Sequence, residues 1–155
     1  MNSLKSLNKV QVWIYRVSAA GQIEILLLRM IPDRGGYWQP VTGGVEVGEP
    51  IEDAALREAR EETSLSFKGG VEPLNYCFRF RTRWGADAEE YAFALQASAL
   101  AEVRLDPQEH DAMAWQVLRQ DLLSEVQGRL HYETVQMGLT KLFEFLSVKQ
   151  VGKSL

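Results

Sequence analysis

Glu49, Arg57, Glu58, Glu61 and Glu62, with Glu109 further along, are the residues whose types and spacing could do chemistry together. Read as an α-helix turning ~100° per residue, the stretch from Glu49 to Thr63 sets Ile51, Ala54, Ala55 and Ala59 on one side. Glu52, Asp53, Arg60 and Thr63 form the opposite, solvent-facing side, with Leu56 leaning outward. Glu58, Glu61 and Glu62 do not join that polar face: they project among the alanines, toward the rest of the domain. Glu58 and Glu62 lie one helical turn apart and repel each other, and a buried, unpaired carboxylate is costly. Arg57 offsets part of that charge, and a divalent cation would offset more. Hard oxygen ligands without thiolates or a spaced histidine pair favour Mg²⁺, with Mn²⁺ as the alternative, over zinc. A surface helix with ordinary i, i+4 ion pairs is the competing reading of this segment by itself.

The segment before the helix, Thr42 to Gly48, is glycine-rich and reads as a loop. Three glycines there would allow positive φ and let backbone approach phosphates. Together, loop and helix resemble the Nudix box, G-x5-E-x7-R-E-U-x-E-E-x-G-U, where U is a bulky aliphatic residue. The matching positions are Gly43, Glu49, Arg57, Glu58, Ala59, Glu61, Glu62, Ser64 and Leu65. Ala59 is smaller than the usual aliphatic, and Ser64 replaces a glycine that ordinarily permits a left-handed helix exit.

That resemblance implies a metal-dependent hydrolase acting on a phosphoanhydride bond, with Glu58, Glu61 and Glu62 as metal ligands. It gives Glu49 and Arg57 the role of an ion pair that braces loop against helix. The attacking water's general base, in this reading, comes from the helix or from a later loop, and Glu109 is the candidate for a late acidic ligand. An exposed loop acid is the competing reading of Glu109, and His110 reads as a bystander. The fold implied is a mixed β-sheet sandwiched between helices. Dimers are common in the family, so a homodimer is compatible.

Trp38-Gln39-Pro40-Val41-Thr42-Gly43-Gly44, with Gln108-Glu109-His110 and Trp115, resembles the branch of bacterial dihydroneopterin triphosphate pyrophosphohydrolases. Those enzymes also accept nucleoside triphosphates. Arg81 stands where ADP-sugar hydrolases tend to carry proline, and Thr82 and Arg83 where dinucleoside polyphosphate hydrolases tend to carry tyrosine. Gln39 before the box, Gly43 and Gly44 at its start, and Arg29, Arg79 and Arg81 on the strands are the candidate substrate contacts, the arginines because they suit bidentate phosphate binding. Trp38 is the candidate to stack a ring, whereas Tyr76 and Phe78 read as core. A Nudix module that senses a nucleotide without cleaving it is disfavoured by the intact set of carboxylates. A prenyl diphosphate isomerase would want a reactive cysteine with further acids.

These residues need a frame. Lys9 to Val17 and Ile23 to Met30 read as strands joined by a hairpin, and Tyr37 to Val41 as a short extended piece. Pro50 and the acids Glu49, Glu52 and Asp53 mark the helix start. Pro73 to Arg83 alternates, with Tyr76, Phe78 and Phe80 to one side and Cys77, Arg79 and Arg81 to the other. Glu90 to Ala97 and Ala112 to Leu118 are further strands, and Tyr132 to Leu146 repeats apolar residues at helical spacing. The order is that of one mixed α/β (α+β) domain over residues 1–155, with its core at about 8–148.

The 155 residues suffice for one core, and the net charge of −4 argues against nonspecific nucleic-acid binding. A small phosphorylated substrate remains compatible, since a bound cation reverses the local field. No run reaches the ~18 apolar residues of a membrane span, and the N-terminal stretch lacks the pattern of a signal peptide. The cytoplasm is the expected location. Cys77, the sole cysteine, reads as a packed thiol.

Overall fold

The computed structural model describes residues 5–149. The outer parts of the expected domain, 1–4 and 150–155, lie outside the described residues, and with them the start of the stretch tested for a signal peptide.

The central strand β1 (Lys5–Val17) is shared between neighbours on both edges. Along one edge it runs parallel to β6 (Asp87–Gln96), in register from Lys9 opposite Glu90 to Tyr15 opposite Gln96. On the other edge its first half pairs antiparallel with β4 (Val41–Glu46), and its last residues with β2 (Ile23–Met30). The seven-stranded sheet is completed by β3 (Trp38–Gln39) and β7 (His110–Leu118), both against β2, and by β5 (Glu72–Arg81) against β6.

The sheet is covered on both faces, which is why its inner strands are apolar at nearly every position. Val10, Val12, Ile14, Leu26 and Leu28 meet Ala54, Ala55 and Ala59 of α1 (Ile51–Thr63). Trp13, Tyr15, Ile25 and Leu27 face the other way, onto Leu139, Leu142 and Leu146 of α3 (Glu133–Val148). Alternation along β1 therefore assigns each side chain to one of two cores. A short helix α2 (Leu123–Gly128) buries Val126 beneath the α3 side. Its single turn and a half is too brief for apolar periodicity to announce it.

The architecture is the expected mixed sheet between helices, with local corrections. Thr42 to Glu46 is strand rather than loop, and of the three glycines only Gly48 takes positive φ. The expected extended piece is broken at Pro40, because a proline cannot donate to the ladder. The helix begins at Ile51, with Pro50 as its cap. Thr63 is fully buried rather than solvent-facing: its hydroxyl donates to the Ala59 carbonyl at 2.6 Å, and its own carbonyl accepts from Arg104 N at 2.9 Å. Leu56 packs against the α1-side core, and Cys77 is exposed.

Candidate active site

Arg57 is the hub that ties α1 to β4. Its Nε donates to Glu49 Oε2 at 2.8 Å and its Nη2 to Glu49 Oε1 at 2.9 Å, a bidentate pair. The same Nη2 donates to the Gly44 carbonyl at 2.8 Å, and Nη1 reaches Glu58 Oε1 at 3.0 Å and Glu61 Oε2 at 3.3 Å. Glu49 also accepts from the Glu46 amide at 3.1 Å, closing the turn between strand and helix. The Arg57 hydrogen bond is the main cause that holds the Glu49 carboxyl below the usual range. Glu49 and Arg57 thus form the ion pair that the resemblance implied.

Glu58 lies against the backbone of β4. A methyl group on Gly43 would overlap its carboxylate, so glycine here lets Glu58 keep this position. Burial pushes the Glu58 carboxyl up, Arg57 opposes that shift, and the charges of Glu61 and Glu109 add to it.

The third wall comes from the turn before β7. Asp106 caps it: its carboxylate accepts from Gln108 N, and its carbonyl from Glu109 N and His110 N, each at 3.0 Å. The Glu109 carbonyl in turn accepts from Ile31 N at 3.0 Å, anchoring the turn to the end of β2. As a result His110 Nδ1 sits 2.9 Å from Glu62 Oε2, with side chains only 4% and 7% exposed. The separation is that of an ion pair, but the ring N–H misses the line to the oxygen. Glu62 Oε2 and both His110 nitrogens remain buried without a hydrogen bond. Burial is the main cause that raises the Glu62 carboxyl; Glu109 adds to the rise and His110 works against it.

These elements enclose a cleft of about 270 Å³ lined by Glu58, Glu62, Glu109, His110, Gly43 and Gly44, with Lys9, Arg34, Gln39 and Thr42 at its sides. Glu62, Glu109 and His110 bring one ligand atom each within 4.8 Å of one another. A divalent cation fits the carboxylates of this donor set: it would satisfy Glu62 Oε2, which no described residue satisfies by a hydrogen bond.

Glu61 is not part of this enclosure; its side chain is 60% exposed on the outer edge of α1, held by Arg57. Two cations were missed from the sequence, Lys9 and Arg34, the latter 3.7 Å from Glu109. His110, read as a bystander, lines the cleft beside Glu62, a neighbour that nothing local in the sequence announces. Trp38 packs toward the α3-side core, with Arg29 over its ring at 5.7 Å, and lines neither this cleft nor the cavity beside it. Arg29 is paired with Asp111 at 2.7 Å and Arg79 with Glu89 at 3.2 Å, and neither arginine lines the cleft.

A larger cavity, about 590 Å³, opens beside the cleft and shares Lys9, Met30, Arg34, Gln39 and Thr42 with it. Its further lining includes Tyr37, Phe78, Phe80, Arg81, Glu90 and Tyr132. Phe78 and Phe80 face it from β5; of the alternating aromatics Tyr76 packs against the α3-side core, whereas Phe78, read as core, lines the cavity. Another cavity of about 540 Å³, around Phe67, Gly69, Gly70 and Gln96, holds no converging carboxylates, and the chemistry is not placed there.

A family model described as NUDIX domain matches residues 7–134. An octanoyltransferase from Myxococcus xanthus is 39% identical over 97 residues, which cover 61% of this chain and 26% of that protein. The asymmetrical bis(5'-nucleosyl)-tetraphosphatase of Mus musculus is 35% identical over 103 residues, 60% of this chain and 63% of its own length. The chain therefore spans less than two thirds of these curated relatives. Among solved structures, the binary complex of a C. elegans Ap4A hydrolase superposes with a TM-score of 0.72 at 25% identity, covering 91% of this chain and 98% of that one. The E. coli dihydroneopterin triphosphate pyrophosphohydrolase superposes at 0.65 with 21% identity, covering 90% and 97%, a likeness of fold.

Proposed function

The chain belongs to the Nudix family, and from that premise we propose that it hydrolyses one phosphoanhydride bond of a nucleoside triphosphate, of dihydroneopterin triphosphate or of a nucleoside-diphosphate-linked compound. Nudix hydrolases generally use divalent metal ions, and Mg²⁺ is the proposed cofactor, with Mn²⁺ as its substitute. One observation carries the reading: carboxylates of two distant segments, Glu62 and Glu109, converge in a cleft where buried polar atoms lack partners.

Glu58, Glu62 and Glu109 would hold the cation from inside the cleft and Glu61 from its rim. When bound, the ion lowers the pKa of a water and neutralises charge on phosphate oxygens. The chain's own groups do the rest. Arg57 holds Glu58 in place through a network anchored on Glu49 and Gly44. Lys9 and Arg34 line the cleft where a polyphosphate would lie, and Gln39 and Thr42 offer polar contacts beside it. Glu109, one-third exposed, is the proposed acceptor for the proton of the attacking water. Arg81 borders the neighbouring cavity and stays in the proposal as an outer phosphate contact.

A second reading, cleavage of dinucleoside polyphosphates, is supported by the mouse relative and by the several aromatic rings around the larger cavity. No helix among the described residues is long and apolar enough to cross a membrane. The exposed, unpaired Cys77 suits a reducing compartment, which supports the cytoplasm as the proposed location.

The test is a substrate panel with Mg²⁺: dihydroneopterin triphosphate, dATP, oxidised dGTP, ADP-ribose and diadenosine tetraphosphate, with product release measured. Turnover of one of the triphosphates, abolished by chelation and by Glu62→Gln, is expected. Binding of nucleotide without turnover of any compound would replace the hydrolase with a sensing module.

A further inference from the structure

Glu90 is a buried carboxylate that the proposed hydrolysis does not use. It stands on β6 in the wall of the larger cavity, and a directed chain of hydrogen bonds fixes it there. The Trp13 indole N–H, a donor only, gives its hydrogen to Gln11 Oε1 at 2.7 Å. The Gln11 amide must then present its NH₂ end onward, and Nε2 donates to Glu90 Oε2 at 3.0 Å. Gln11 and Trp13 are fully buried, and α3 presses its backbone onto them at Gly138, where a Cβ would overlap Gln11 Oε1. The network has no room to rotate. Burial raises the Glu90 carboxyl to about 7, while the Gln11 hydrogen bond and the charge of Lys9, in the same cavity, work the other way, so the ionised form prevails at pH 8.

What the closed wall offers a ligand is therefore a hydrogen-bond acceptor. The other walls are aromatic. Phe78 and Phe80 stand side by side on β5, ring centroids 6.2 Å apart, and Tyr37, stacked on His131 at 4.0 Å, stands with Tyr132 in the lining. Flat rings bordering a cavity of this size are suited to a heteroaromatic ring. Because the cavity shares five residues with the acidic cleft, one molecule can place its ring in the first and its phosphates in the second.

We propose that this cavity holds the ring of the substrate, and that Glu90 selects a 2-amino-4-oxo ring, guanine or a pterin, over adenine. A ring of that type presents a ring N–H and an exocyclic NH₂ side by side, two donors that a carboxylate can accept together. Adenine presents one N–H donor beside a ring-nitrogen lone pair, which faces the carboxylate repulsively. The assignment rests on the proposed nucleotide-hydrolase reading for its choice of ligand.

Binding measurements keep the two apart. The full chain is titrated calorimetrically with GMP, IMP and AMP at pH 8 with Mg²⁺, without any requirement for turnover. The expected order is GMP, then IMP, which lacks the amino group, then AMP, with GMP at least about tenfold tighter than AMP. Glu90→Gln, whose amide offers one donor and one acceptor, should shrink the GMP-to-AMP ratio about tenfold, because that pattern suits adenine. Equal affinity for the three nucleotides, no binding of any at millimolar concentration, or an equal loss for all three in Glu90→Gln overturns the proposal. If that variant does not fold, the wild-type GMP-to-IMP comparison decides alone: equal affinities overturn it. Comparing GTP with dihydroneopterin triphosphate as competitors of GMP then distinguishes the two sources of the ring. Failure of the substrate panel with this binding order intact would overturn hydrolysis and leave the ring assignment standing.

Discussion

His110 Nδ1 lies 2.9 Å from Glu62 Oε2, although the two residues come from the first position of β7 and the last turn of α1. The imidazole lines the cleft and packs against the buried carboxylate that faces it. Replacing it with alanine leaves Glu62 buried with a gap beside it. His110→Ala should weaken Mn²⁺ binding about 10–100-fold, the usual cost of losing a partner that orients a ligand. Titration of the spectroscopic Mn²⁺ signal checks this, and unchanged affinity would remove His110 from the site.

Arg57 serves Glu49, Glu58, Glu61 and the Gly44 carbonyl at once. A lysine keeps the charge but has no planar fork. Arg57→Lys should therefore lower kcat about 10–100-fold while the melting temperature changes little. A variant with wild-type kcat would mean that the brace does not position Glu58.

At Gly43 a side chain has nowhere to go without moving the Glu58 carboxylate, whereas at Gly44 a methyl group meets nothing within 4 Å. Gly43→Ala should cost at least about tenfold in kcat, since a small displacement of a positioned group already costs that much. Gly44→Ala should cost less. Steady-state kinetics of both variants tests the asymmetry, and equal losses would contradict it.

Ser64 ends α1 in the left-handed region at φ 59°, donating its backbone N–H to the Arg60 carbonyl. The helix exit thus keeps its shape without glycine, at a conformational cost. Ser64→Gly relieves that strain but frees the unfolded chain, for a net gain of about 0.5 kcal/mol. A rise of about 1–2 °C in melting temperature is expected; a fall would show that the serine side chain contributes more than its strain removes.

Glu90 gives stability a pH dependence with a definite sign. Burial raises its pKa from 4.5 to about 7 in the folded protein. Below pH 4.5 it is protonated folded or unfolded; between 4.5 and 7 the folded state retains a proton that the unfolded state releases. Stability is therefore full at low pH and lost as pH rises through 7, by on the order of 2–3 kcal/mol. Urea unfolding of wild type and Glu90→Gln across pH 4.5–8, without metal, should show the wild type losing stability relative to the variant. Parallel curves would place the carboxyl in a better solvated setting.

Much of this was written locally. The apolar runs of β1 and β2, the alternation of β5, the periodicity of α3 and the charged spacing from Glu49 to Glu62 follow from rules acting over a few residues. The Glu49–Arg57 brace came from the resemblance to the Nudix box, and it forms because strand end and helix start adjoin in the chain. Thr63 shows the limit: helical spacing places it opposite the alanines, but a neighbouring segment that supplies Arg104 N covers it. Glu61 shows the converse, since the helix turns it outward from a face that the letters alone grouped with Glu58 and Glu62.

By itself the sequence determined the family, the sheet-and-helix order and most of the acidic set, since each is encoded by residue type at fixed short spacing. Only the tertiary structure decided that His110 meets Glu62, that Lys9 and Arg34 flank the cleft, and that Glu90 faces a ring-lined cavity. Those pairings join segments tens of residues apart, and strand register and helix docking, rather than any local periodicity, set their distances.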